Sequence, residues 1–150
     1  MKAVLFVVAL CALVAVTYGA LSEELLSRMM EKVVSVAEEC QKETGASQDD
    51  MKELLEKKPP STHEGKCVVS CVGKKLGMGT EDGYADIEGT KKALEGVKAE
   101  DEEAYNKLVQ AAEQCKDEVP YNEDHCISSA EFAICAQKKV KEIGIEFPFL

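Results

Sequence analysis

Ser61-Thr62-His63-Glu64-Gly65-Lys66-Cys67-Val68-Val69-Ser70-Cys71-Val72 is the stretch that decides the fold. Ser61 and Glu64 stand three residues apart, the spacing of a capping box at a helix start. A helix is therefore predicted from here, carrying Cys67, Val68, Cys71, Val72 and Leu76. Cys67 and Cys71 are one helical turn apart and share a face. Each then staples this helix to a different neighbour, so one element holds two others in place.

Working outward, helical periodicity continues in both directions. Upstream, Leu25, Leu26, Met29, Met30, Val33, Val34, Ala37 and Cys40 recur at three- and four-residue steps. Ser22 can cap this first helix, with Glu23 and Glu24 in its first turn and Gly45 at its end. Ser47 to Asp50 matches the capping pattern ahead of Met51, Leu54 and Leu55, a short second helix that Pro59-Pro60 terminates. Downstream, the glycine-rich run from Gly77 to Gly83 is a turn or loop. A fourth helix holds Ile87, Ala93, Leu94 and Val97, weakened by Gly89 and Gly96. A fifth carries Tyr105, Leu108, Val109, Ala112 and Cys115. After Pro120, Asn122 can cap a sixth holding Cys126, Ile127, Ala130, Ala133, Ile134 and Val140. Beyond Gly144 the period changes to two, with Ile143, Ile145, Phe147 and Phe149 on one side, so the tail is extended. The fold class is all-α: six helices and an extended C-terminal tail.

The first residues read differently. Lys2 precedes an apolar run from Ala3 to Val16, followed by Thr17, Tyr18, Gly19 and Ala20. That is the pattern of a secretory signal peptide, with residues 1–19 removed by cleavage after Gly19, or after Ala20. The domain is then 20–150, and the expected location is extracellular. Lys2 leaves with the signal, so the net charge of −10 becomes −11. Cys11 leaves too, and seven cysteines become six. An even count in an exported chain implies a disulfide framework, and six cysteines allow fifteen pairings among which spacing does not choose. A zinc site would want a second short Cys/His pair, and none exists, so no metal is expected. The acidic balance argues against nucleic acid and against anionic membrane surfaces.

The order C-x26-C-x3-C-x43-C-x10-C-x8-C at positions 40, 67, 71, 115, 126 and 135, in an acidic helical chain behind a signal peptide, resembles the insect odorant-binding and pheromone-binding protein family. The resemblance spans the mature chain. It implies the pairs Cys40–Cys71, Cys67–Cys126 and Cys115–Cys135, and six helices around one internal apolar cavity. The x43 gap is long for the family, and the extra length falls within 77–89.

Such a cavity should be mostly apolar with few polar groups. The candidate lining residues are Met30, Val33, Leu76, Ile87, Leu94, Leu108, Ala112, Phe132, Ile134, Phe147 and Phe149, with Tyr105 offering a hydroxyl. In the family a C-terminal tail often folds over or into the cavity, a role that Ile145, Phe147 and Phe149 match in composition. His63 and His125 each stand at a helix start, where positive charge is unfavourable. They are the candidates for a pH switch that loosens those starts on protonation.

No catalytic constellation emerges. Asp124-His125-Cys126 lacks the calcium-binding glycine loop and the adjacent cysteines of secreted phospholipases. The acids of 81–88 fail the EF-hand spacing, and Gly77-x-Gly79 follows no strand. No catalytic residue and no cofactor are expected. The expectation is a secreted carrier of small hydrophobic ligands, such as odorants or pheromones, moving through aqueous lymph as a monomer or weak homodimer. Its partners are that ligand and, from the resemblance, a membrane chemoreceptor. It has no stable membrane insertion and binds no nucleic acid. The alternatives are a carrier of haemolymph, saliva or reproductive fluid, and a disulfide scaffold that acts through its surface without a cavity.

Overall fold

A computed structural model describes residues 21–145. Seven helices are present among them: α1 Glu23–Thr44, α2 Gln48–Leu55, α3 His63–Lys75, α4 Ile87–Ala93, α5 Glu95–Glu100, α6 Glu102–Glu118 and α7 His125–Glu142. The described residues contain no strand, only an antiparallel bridge between Gly79 and Ala85 that pins the α3–α4 loop. The predicted fourth helix is two short ones, because the chain leaves helical geometry at Leu94 (φ −93°, ψ 7°). Residues 146–150, with Phe147 and Phe149 of the expected tail, lie outside the described residues, as does the segment 1–20. Ile143 still belongs to the helix end (φ −82°, ψ 0°), and Ile145 packs against the apolar cluster that holds Leu108 and Val140.

Most helix starts follow the local chemistry. Ser22 accepts from the Leu25 N–H at 3.1 Å. Ser47 and Asp50 form a full capping box. Two starts differ from expectation. α3 is capped by Thr62, whose hydroxyl accepts from Gly65 N–H at 3.0 Å, and not by Ser61. Ser61 instead donates its N–H and hydroxyl to the Glu53 carboxylate at 2.9 and 2.8 Å. Asp50 makes the difference: buried at 4% exposure, its carboxylate accepts from both Ser47 and Thr62. One carboxylate therefore ties the starts of α2 and α3, and Thr62 is the residue that reaches it. α7 is capped by Asp124, which accepts from Cys126 and Ile127 N–H, while the expected Asn122 accepts from the N–H of Asp124. At the other end of α2, the helix stops at Leu55, ahead of the prolines. Lys57 adopts a left-handed φ of 58° and Lys58 N–H closes onto Glu53 C=O at 2.9 Å. That is a Schellman ending built without glycine.

The disulfides are Cys40–Cys71, Cys67–Cys126 and Cys115–Cys135. They join α1 to α3, α3 to α7, and α6 to α7. α3 is the hub, packing chiefly on α7 and α1. One apolar cluster gathers Leu25, Leu94, Val97, Ala104, Leu108, Val109 and Val140. A second gathers Cys40, Ala46, Met51 and Val68. Gly89 permits a close approach that no other residue would: a Cβ there would lie 1.7 Å from the Gly77 carbonyl oxygen. The glycine expected only to weaken the fourth helix is what lets α4 pack against the α3–α4 loop.

Candidate ligand-binding cavity

Both apolar clusters contribute to the wall of a partly open cavity of about 660 Å³. That volume falls within the roughly 300–1,000 Å³ of small-molecule sites. α1 supplies Met29, Met30, Val33, Val34 and Ala37, a stripe repeating at helical spacing. α2 adds Met51 and Leu54, α3 adds Val68 and Val72, and α6 adds Leu108, Ala111 and Ala112. α7 faces them with Ala130, Phe132, Ala133, Ile134 and Val140. Methionine and small alanines suit such a wall: the first is flexible and polarisable, the second leave room.

Of the residues anticipated from sequence, Met30, Val33, Leu76, Leu94, Leu108, Ala112, Phe132 and Ile134 stand in the wall. Ile87 does not; it is half-buried at the start of α4. Tyr105 does not either. It packs against the first apolar cluster on another side of α6, with the Lys98 ammonium 5.3 Å from its ring centroid. The stripe of α6 is broad, and Tyr105 falls outside the arc that Leu108 and Ala112 share. The polar groups of the wall are instead Gln41, Gln48, Thr90, Ser129 and Gln137, together with Tyr84. Tyr84 stacks on Tyr121, with centroids 5.2 Å apart and planes inclined by 6°. It comes from the α3–α4 loop, where periodicity carries no signal. Val72, Met51 and Leu54 were legible as apolar stripe positions but not as wall.

The histidines differ from each other. His63 Nε2 lies 2.8 Å from Asp124 Oδ2, linking the starts of α3 and α7 beside the Cys67–Cys126 bond. The hydrogen bond from His63 is the largest cause holding the Asp124 carboxyl below the usual range. Burial opposes it, and the N–H groups of Cys126 and Ile127 reinforce it. The partner that His63 meets at this junction is the N-cap residue of α7. His125 is exposed, and its backbone abuts Gly83: a Cβ on Gly83 would lie 2.5 Å from the His125 carbonyl oxygen. His63, Cys67 and Cys126 lie close enough together to hold a metal ion, but both sulfurs are used by their mutual disulfide.

This cross-linked helical architecture and its cysteine order can be set beside known proteins. The profile of the PBP/GOBP family matches residues 22–139, nearly all of the described chain. The chain belongs to the PBP/GOBP family. Two Drosophila melanogaster relatives are general odorant-binding protein 19d, 29% identical over 116 residues and 77% of each chain, and general odorant-binding protein 28a, 28% identical over 123 residues and 82% of each chain. Among solved structures, the Drosophila melanogaster odorant-binding protein OBP28a is similar with a TM-score of 0.69 and 26% identity, covering 81% of this chain and 99% of that one. A pheromone-binding protein of Epiphyas postvittana shares the fold at a TM-score of 0.62 and 23% identity, covering 75% of this chain and 99% of that one. So does one from the cockroach Leucophaea maderae, at 0.59 and 19%, covering 72% and 92%. That last protein was solved in complex with a fluorescent reporter, ANS. The family's named members are binding proteins. No helix among the described residues is long and apolar enough to cross a membrane.

Proposed function

We propose that this chain is a secreted carrier that takes one small hydrophobic molecule into its cavity and releases it intact, with no reaction. The observation that carries this reading is the wall itself: apolar side chains from α1, α2, α3, α6 and α7 converge on about 660 Å³. A partly open cavity leaves its apolar wall facing water, which is unfavourable in proportion to the apolar area exposed. A guest that fills it recovers much of that cost and buries its own surface at about 25 cal/mol per Å². The three disulfides supply the stability to hold the walls apart meanwhile. Removal of residues 1–19 or 1–20 on export is part of the same reading, since it leaves six cysteines, all paired. The names of the relatives support odorants or pheromones as the guest class, and the tissue decides whether the fluid is sensory lymph or another. A surface-acting scaffold has no use for the void, which favours the carrier.

The test is titration of the oxidised protein with a neutral apolar fluorescent dye, followed by displacement with volatile alcohols, aldehydes and esters. Saturable binding of one dye per chain, reversed by competitors, is expected. Fluorescence that rises without saturation, or that survives every competitor, would remove the proposal. The absence of Trp means the signal must come from the dye.

A further inference from the structure

We infer that the cavity selects a guest that ends in a hydroxyl, an alcohol, and that Ser129 with the Gly83 carbonyl is the place that receives it. The inference rests on the carrier reading and narrows its ligand class.

Gly83 belongs to the α3–α4 loop, lines the cavity and is buried. It holds a left-handed φ of 77° and abuts the His125 backbone too closely for any side chain to fit. Among the described residues one group donates to its carbonyl oxygen, the Ser129 hydroxyl on α7, at 3.4 Å. That is long for a hydroxyl donor, which usually stands at about 2.7–2.8 Å. Ser129 is half-buried and lines the cavity too. Thr90, a buried wall residue on α4, donates its hydroxyl at 2.8 Å to the Asp86 carbonyl, at the end of the same loop.

Both hydroxyl protons are therefore directed at backbone carbonyls of the segment 83–86. What this side of the wall has to spare is acceptor capacity: the lone pairs of Ser129 Oγ and of the under-used Gly83 oxygen. An aldehyde, ester or ether brings only further lone pairs. To donate to one, Ser129 must turn from Gly83 and leave a buried carbonyl without a partner, which is unfavourable. A guest hydroxyl brings the missing donor. It donates to the Gly83 oxygen or to Ser129 Oγ while its alkyl chain takes the apolar remainder of the cavity. The other polar wall groups lie elsewhere. Gln41 and Gln137 donate to the carbonyls of Ala46 and Lys57, on either side of α2, and Tyr84 is exposed and stacked on Tyr121.

The experiment displaces a neutral apolar dye from the oxidised protein with dodecanol, dodecanal and methyl undecyl ether, which have equal numbers of heavy atoms. Dodecanol should bind about three- to tenfold more tightly than the ether and the aldehyde, the range of one hydrogen bond. A purely apolar interior would favour the ether instead, since leaving water costs it less. Ser129→Val puts a methyl in place of the hydroxyl and covers the Gly83 carbonyl, so the alcohol-to-ether ratio should fall to one or below. Ser129→Thr has the same volume, keeps the hydroxyl and should keep the ratio, and Tyr84→Phe should keep it as well. In the unaltered protein, equal or tighter binding of the ether or the aldehyde overturns the inference and leaves the carrier reading standing. So does a ratio that survives Ser129→Val, that Ser129→Thr abolishes, or that Tyr84→Phe abolishes. Failure of all three competitors to displace the dye overturns both.

Discussion

Replacing Cys67 and Cys126 by Ala cuts the link between the hub helix α3 and α7. The two positions are 59 residues apart in sequence, the longest closure of the three. Restricting the unfolded chain by a loop of that length is worth about 4 kcal/mol at 25 °C in the chain-entropy estimate. The 20-residue separation of Cys115 and Cys135 gives about 3 kcal/mol by the same relation. For a chain of this size, the first loss corresponds to a fall in Tm of about 15 °C. Urea unfolding followed by circular dichroism reads the stability, and dye titration under native conditions reads the cavity. Cys126 is 1% exposed, so the double variant also loses sulfur packing at a buried junction, which adds to the loss. The walls contributed by α3 and α7 then part more easily, and dye affinity should fall with stability. A loss below about 1 kcal/mol, or a smaller loss than for the Cys115→Ala/Cys135→Ala variant, would refute the reasoning, since loop length sets both the size and the order.

Ala112→Phe should fill part of the cavity. The added apolar surface, on the order of 100 Å², offsets its side-chain ordering and leaves a gain of about 1 kcal/mol, with dye affinity down at least about tenfold. A solid interior would instead be overpacked and lose about 1–3 kcal/mol. Gly89→Ala should cost about 2–3 kcal/mol in urea unfolding, despite alanine's better helix propensity, because its Cβ meets the Gly77 carbonyl. Gly96→Ala, which meets only the Leu25 side chain at 3.0 Å, should cost far less. Hydrogen bonds hold the carboxyls of Asp50, Glu100 and Asp124 below their ordinary range: from Thr62 and Ser47, from Ser22, and from His63 respectively. A carboxyl whose folded pKa is depressed contributes stability above its unfolded value, near 4, and loses it as the pH falls toward the folded value. Stability should therefore decline below about pH 4, and Asp50→Asn should flatten that decline.

The helices were legible because their starts carry capping side chains and their stripes repeat at three and four residues. Ser22, Ser47-Asp50 and Gly45 act in the structure as their types suggest. The offset at α3 was not legible, because Ser61 and Thr62 are adjacent and equally able to cap. Asp50, twelve residues away, decides between them through a tertiary hydrogen bond. The break at Leu94 belongs to the same class: nothing local forbids one continuous helix. The cavity was half legible. A stripe residue shows which face turns inward, but not whether a neighbour or empty space lies beyond it. Leu108 and Ala112 face the void while Tyr105, on the same helix, packs against side chains.

A crystal structure of the oxidised protein grown with a brominated alkanol tests the central claim most directly. The account predicts one anomalous bromine peak inside the bundle, within contact distance of side chains such as Met30, Val72, Leu108 and Ala133. Bromine found only on the outer surface, around an interior closed by its own side chains, would contradict it.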